Sequence, residues 1–210
     1  MPKYLIVSLS VLLLTGSNNL LHLAVFFQDD KQRTHLANIR ESLQNMAFRG
    51  KTRRNKNMIK ILFICHGNIC RSTLAQSFFT YLVNTNGFAD QFVIDSCATS
   101  REEIGNPPHG GTVNKLKEMG IPVVPHKARQ ITWSDYTNSD YIIGMDSANI
   151  RNLHRMLKGD PNKKISKLLD YTSRKGEDIA DPWYTGNFDA TYRDIKEGCE
   201  ALLNECLLHL

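Results

Sequence analysis

The chain reads as an α/β domain, a single parallel sheet with helices on both faces. Three observations predict it. Short apolar runs rich in β-branched residues alternate with amphipathic stretches at helical spacing, as parallel strands joined by helical crossovers require. The first apolar run, Lys60–Ile64, passes straight into Cys65-His66-Gly67-Asn68-Ile69-Cys70-Arg71-Ser72 and then a helix. That places reactive side chains at the carboxyl end of a strand, where open α/β sheets form their sites. Finally, 210 residues suffice for one domain of ordinary size plus an extension.

The elements follow in order. Lys60–Ile64 is strand one, an unbroken apolar run after its lysine. Thr73 to Thr85 is a helix, with Leu74, Phe78, Tyr81 and Leu82 placed on one face by their spacing. Phe92–Asp95 is strand two. Gly105-Asn106-Pro107-Pro108 punctuates a loop. Gly111–Met119 is a helix stopped by Gly120, and Tyr141–Met145 is strand three. Ser147–Leu157 is a helix capped by Asp146 or Ser147 and ended near Gly159. Ile165–Leu169 is a short fourth strand, and Phe188–Leu208 a final amphipathic helix with Leu202, Leu203 and Leu207 facing the core.

The segment after strand one carries the chemistry. A tight loop turning on Gly67, with Asn68 suited to a left-handed backbone, points N–H groups at one spot. The helix N-terminus behind it adds partial positive charge, so the loop suits an oxyanion such as phosphate. The same field favours a thiolate at Cys65, which makes that sulfur a nucleophile. Arg71 supplies a planar fork that grips two phosphate oxygens, a geometry lysine lacks. Ser72 can donate its hydroxyl to the sulfur. The plainer alternative is a buried cysteine beside an unrelated arginine.

Ile64 through Ser72 resembles the signature of the low-molecular-weight protein tyrosine phosphatases. The resemblance extends through Asp95-Ser96-Cys97-Ala98-Thr99-Ser100, His126-Lys127-Ala128-Arg129-Gln130, Tyr141 to Ser147 and Asp181-Pro182-Trp183-Tyr184, from about Met58 to the C-terminus. It points to bacterial members of Gram-positive type. It implies a four-stranded sheet in the order 2-1-3-4, and a protein or peptide substrate bearing phosphotyrosine. Two departures stand out. Thr73 occupies a position where the family usually has proline, and Glu102 falls where some members place an aromatic wall residue.

The resemblance also assigns roles. Cys65 is the nucleophile, Arg71 the phosphate grip and Asp181 the general acid and base. His66, Gly67, Asn68, Ile69, Cys70 and Ser72 surround the substrate phosphate, with Trp183 and Tyr184 shelving its ring. Asn68, Ser72, Ser96 and His126 brace the loop. Cys70 either forms a reversible disulfide with Cys65 or fills apolar space. Chemistry supports an acid at Asp181, because tyrosine, with a pKa of about 10, leaves poorly as an anion. Pro182 stiffens the loop that carries it, although Asp-Pro is also a common turn pair. A bound phosphate dianion and burial both favour the protonated acid, which predicts best turnover at mildly acidic pH. No metal or other cofactor is expected, since Arg71 and the loop amides do the neutralising.

Charge and cysteine usage exclude other classes. The net charge of +5 belongs to residues 1–57, where nine Lys/Arg face three Asp/Glu; beyond them seventeen face eighteen. The catalytic part therefore gives no argument for binding nucleic acid or a membrane surface. The five cysteines, at 65, 70, 97, 199 and 206, form no Cys-x-x-Cys pair. That favours a reducing, cytoplasmic setting, with Cys97, Cys199 and Cys206 as buried fillers. A monomer is expected.

The domain is expected to span residues 58–210. In residues 1–57 the apolar run Tyr4–Leu14 is too short to span a bilayer. The segment reads as an export signal, an anchor or, as we favour, a piece outside the working enzyme, which would then start at Met58. Other functions compete. A thioredoxin-coupled arsenate reductase of this fold needs two further relay cysteines, and none lies between Cys97 and Cys199. Phosphoarginine phosphatases of the same family carry threonine where Ile69 stands. A silent phosphate-binding module would not need the thiol, guanidinium and acid together.

Overall fold

The computed structural model describes residues 58–209; the expectations about residues 1–57 fall outside them. Strand β1 (Ile59–Cys65) runs at the centre of a four-stranded parallel sheet in the order β2-β1-β3-β4. Its partners are β2 (Phe92–Ala98) and β3 (Tyr141–Gly144), with β4 (Ile165–Lys167) outermost. Cys65 is level with Ala98, and Ile64 with Gly144, so three carboxyl ends finish together on one side. This register sets where the site forms. Residues from three separate loops meet there without any long connection crossing the sheet.

β1 is buried on both faces, with only Lys60 exposed, as a central parallel strand must be. Its alternating side chains feed two cores. Ile61, Phe63 and Cys65 pack with helices α1 (Arg71–Thr85) and α6 (Phe188–Leu207), and with Leu116 of α2 (Gly110–Glu118). Leu62 and Ile64 point the other way, toward Tyr136 of α3 (Trp133–Asn138) and Leu153 of α4 (Ser147–Met156). Helices therefore cover both faces, as predicted. Gly198 lets α6 approach the turn after β4: a Cβ there would lie 2.5 Å from Leu168 Cγ.

Several boundaries differ from expectation. α1 starts at Arg71 and not Thr73, so the arginine is already helical. Tyr81 is exposed and does not share the buried face of Leu74 and Phe78. The first two turns of α1 are buried nearly all round, between the sheet, α2 and α6, so apolar spacing there marks no single face. β4 ends at Lys167; Leu168–Tyr171 is a 3₁₀ turn that buries Leu168 and Leu169 without a ladder. Two short helices, α3 and α5 (Pro182–Thr185), were not anticipated. Leu202 and Leu203 are buried and Leu207 partly so, and Cys97, Cys199 and Cys206 fill the core as expected.

Candidate active site

The loop between β1 and α1 wraps around the Cys65 sulfur. Asn68 donates its backbone N–H to Sγ at 3.2 Å, and Ser72 Oγ lies 3.1 Å from it. Asn68 holds the left-handed conformation, φ 61°, which asparagine tolerates better than most residues. Gly67 does not adopt it. Its value is close approach: a Cβ there would sit 3.1 Å from Glu103 Cγ. Thr73, in place of the expected proline, turns its hydroxyl back to the carbonyls of Ile69 and Cys70 at 2.8 and 3.0 Å. A proline would leave those carbonyls without this donor.

A directional hydrogen-bond network supports the loop. Oδ1 of Asn68 is only an acceptor, so His126 must donate Nε2–H to it, at 2.7 Å. Arg129 N–H donates to the same oxygen at 3.1 Å. Asn68 Nδ2 then donates to Ser72 Oγ at 2.9 Å and Ser96 Oγ at 2.8 Å, and the Ser96 hydroxyl donates to Gln76 Oε1 at 2.7 Å. With Ser72 already accepting, its hydroxyl proton is free to point at Sγ. The network thus ends in donors on the sulfur. Asn68 and Ser72 are wholly buried and do not line the cleft. They act behind the loop, together with Ser96 and His126.

Burial lowers the pKa of His126 from 6.5, and Arg129 adds to the effect against the opposing pull of Asp95. Above pH 6.5 the imidazole is neutral whether folded or not. Below it the unfolded chain binds the proton first, so stability falls as pH drops. Thermal unfolding between pH 7.5 and about 5 should show this loss, and His126→Gln should flatten that part of the profile. Identical profiles for the two proteins would remove His126 from the network.

Arg71 lies under the cleft, 2% exposed. Its Nη1 donates to Asp146 Oδ2 at 2.6 Å and to the Ile179 carbonyl at 3.0 Å. Its other edge, formed by Nε and Nη2, is differently engaged. Nη2 pairs with Asp181 Oδ2, and Nε has no partner among the described residues. Burial works against the guanidinium charge, but Cys65, Asp181 and Asp146 outweigh it and hold its pKa above the usual value. A buried cation held by Asp146 at Nη1, with Nε to spare beside the Nη2 that Asp181 holds, is suited to a bidentate anion that takes the Nε–Nη2 edge.

Asp146 was read from the sequence only as a helix cap. It does cap α4, accepting from Asn149 N at 2.6 Å, and its second oxygen holds Arg71. Gln76 was missed as well. In a helix that also carries Ser72, Thr73 and Ser77, one more polar residue gave no signal of its partnership with Ser96.

Cys65, His66, Gly67, Ile69 and Cys70 line a cleft of about 90 Å³ with Asp181, Trp183, Tyr184, Glu102 and Glu103. Asp181 caps α5 through Trp183 N–H at 3.1 Å. This directs the two aromatic side chains, 57% and 81% exposed, to the cleft mouth. His109 meets the Trp183 ring edge-on at 5.8 Å. Glu102, in the expected aromatic position, instead contacts His66 Nε2 at 3.1 Å. Cys70 packs with Ile69, Ala128 and Phe188. Burial and the neighbouring Cys65 push its thiol up to about 12, and both cysteines are free. Among the described residues no group of side chains is placed to hold a metal, and no helix is long and apolar enough to cross a membrane.

A thiol ringed by donors, a guanidinium in the same loop and a carboxylate on the facing loop define an α/β enzyme of the cysteine-centred phosphatase class. The family model for low molecular weight phosphotyrosine protein phosphatases matches residues 60–208. The chain is 42% identical over 147 residues to the low molecular weight protein-tyrosine-phosphatase YfkJ of Bacillus subtilis, covering 70% of this chain and 94% of the relative. The crystal structure of YfkJ superposes with a TM-score of 0.71, covering 74% of this chain and 98% of that one. The human low molecular weight phosphotyrosine protein phosphatase is 40% identical over 151 residues, or 69% of this chain and 94% of that protein. The structure of DARP, a Drosophila arginine phosphatase, is 33% identical with a TM-score of 0.65, covering 70% and 97%. The chain belongs to the low molecular weight phosphotyrosine protein phosphatase family.

Proposed function

We propose that the chain hydrolyses phosphotyrosine in proteins in two steps through a phosphocysteine. In the first, Cys65 Sγ attacks phosphorus, the bond to the tyrosyl oxygen breaks, and Asp181 gives its proton to that oxygen. In the second, water attacks the same phosphorus. Its proton passes to Asp181, the S–P bond breaks, and phosphate leaves with the thiolate restored. Arg71 and the loop amides hold the three equatorial oxygens throughout.

The observation carrying this reading is the Nε–Nη2 edge of Arg71, where Nε has no partner among the described residues and Nη2 holds Asp181. A phosphoryl group taking that edge displaces the Asp181 carboxylate from the guanidinium. The carboxyl is then free to work as acid on the leaving oxygen. Binding and acid catalysis are thereby coupled through one side chain.

Trp183 and Tyr184 fit the phenyl ring of a tyrosyl side chain at the cleft mouth. Ile69, which is buried and lines the cleft, is an apolar branched side chain at the position where threonine marks arginine specificity. This favours tyrosine. The same reading places catalysis in residues 58–210, without metal or nucleic acid, in a monomer of the reducing cytoplasm.

A panel of phosphotyrosine, phosphoserine and phosphoarginine peptides, with released phosphate as readout, tests the substrate class. Phosphotyrosine should be cleaved preferentially. Preference for phosphoarginine, or thioredoxin-dependent loss of arsenate without phosphatase activity, would overturn the proposal.

A further inference from the structure

The loop that carries Asp181 is anchored at a point remote from the cleft, and one lysine forms most of that anchor. Lys167, the last residue of β4, is buried. Its ammonium donates to the Gly176 carbonyl, to Asp178 Oδ1 at 2.7 Å and to Ser147 Oγ at 3.3 Å. Asp178 Oδ1 accepts further bonds from Ser147 N at 3.0 Å and Ser147 Oγ at 2.8 Å. Asp170 holds the same turn from the other side, accepting from Gly176 N at 2.9 Å and from Lys167 N at 2.9 Å. The turn is thus gripped at both the N–H and the carbonyl of Gly176.

The next residue, Ile179, continues the chain of contacts into the site. Its N–H donates to the Met145 carbonyl at 2.8 Å, and its own carbonyl accepts from Arg71 Nη1 at 3.0 Å. Asp181 follows two residues later and pairs with Nη2 of the same guanidinium. Lys167 and Asp178 therefore tie the acid loop to the N-terminus of α4, whose cap, Asp146, holds Arg71. The loop is fixed at a point three residues before the acid. A buried ammonium also leaves an expensive vacancy if its partner is lost, so the anchor is held strongly.

We propose that Lys167, acting through Asp178, is a positioning residue for the general acid: it sets where Asp181 stands relative to the leaving oxygen, and touches neither substrate nor sulfur. The proposal rests on the assignment of Asp181 as the acid. Its consequence is specific. Loosening the anchor should impair the step that needs a proton and spare the step that needs only sulfur and guanidinium. Leaving groups of different basicity separate the two, because general-acid catalysis matters most when the departing anion is strongly basic.

The test compares wild type, Lys167→Met, Lys167→Arg, Asp178→Asn and Asp181→Asn in the full chain, using phenyl phosphate and p-nitrophenyl phosphate. Lys167→Met keeps length and removes the donor. Its kcat on phenyl phosphate should fall about tenfold or more, with the p-nitrophenyl substrate changed about twofold at most. Inhibition by inorganic phosphate should be unaltered, and Lys167→Arg should recover most of the loss.

Asp178→Asn, which keeps the fold's shape and weakens the charge pair, should show the same split at smaller size; it carries the test if Lys167→Met does not fold. Equal losses on both substrates, or none on either, would overturn the proposal. Asp181→Asn keeps the two ideas apart. If it shows the leaving-group split and the Lys167 and Asp178 variants do not, only the anchor is wrong. If it shows no split, the assignment of the acid has failed.

Discussion

Cys65→Ser should remove turnover while leaving the phosphate site intact. The hydroxyl is close in size to the thiol and can still accept from Asn68 N–H, now 3.2 Å from sulfur. It does not ionise near neutrality, so it cannot attack phosphorus. Removing the nucleophile of a working catalytic unit costs on the order of 10⁵–10⁶ in kcat. Affinity for inorganic phosphate, measured by calorimetry, should change by no more than about threefold, since Arg71 and the amides supply it. Residual activity within about a hundredfold of wild type would mean that another group attacks phosphorus.

Asp181→Asn is expected to have the second largest effect, and it should lower both kcat and KM. Asparagine keeps the shape of the side chain but has no acidic proton for the leaving oxygen. General-acid removal costs about 10²–10⁴, and this loss should appear in kcat for phosphotyrosyl peptides. p-Nitrophenyl phosphate, whose leaving group needs little help, should lose far less. The substitution also removes the charge that occupies Nη2 of Arg71 in the free enzyme. Phosphate then has one competitor fewer for the guanidinium, so KM and the inhibition constant of inorganic phosphate should both fall. A uniform loss on both substrates with unchanged KM would show that the carboxylate shapes the loop and transfers no proton.

The sequence was most legible where a residue's role is local. The runs around Phe63, Ile94 and Ile142 read as strands because apolar β-branched residues in short blocks have few other uses. Cys65, Asn68, Arg71 and Ser72 could be named together because one loop brings them together. Longer-range partnerships were hidden. Asp146 looked like a cap and is one, yet its second oxygen holds a guanidinium 75 positions away in sequence. No spacing rule reveals that; it follows from β1 and β3 ending level in the sheet.

Helices of one turn escaped for another reason. Trp133–Asn138 and Pro182–Thr185 are too short to show a 3.6-residue period. Thr132 and Asp135 nevertheless form a reciprocal cap at the start of α3, and the Thr-x-x-Asp spacing was a usable signal. Tyr81 failed for another reason. It lies beyond the enclosed turns of α1, between half-buried Thr80 and Leu82 and ahead of exposed Asn84 and Thr85, so apolar character at helical spacing did not make it core. Ser96 and His126 came from family resemblance and not from any pattern in the chain. The structure supplies their physical link, since both bond to Asn68.

The account depends on a covalent bond between sulfur and phosphorus, and rapid-quench mass spectrometry tests it most directly. Wild-type enzyme mixed with excess phosphotyrosyl peptide and acid-quenched within one turnover should yield a phosphorylated peptide containing Cys65. The modification should accumulate further in Asp181→Asn with p-nitrophenyl phosphate, where the water-activating base is missing. Steady release of phosphate with no phosphorylated Cys65 at any quench time would contradict the central claim.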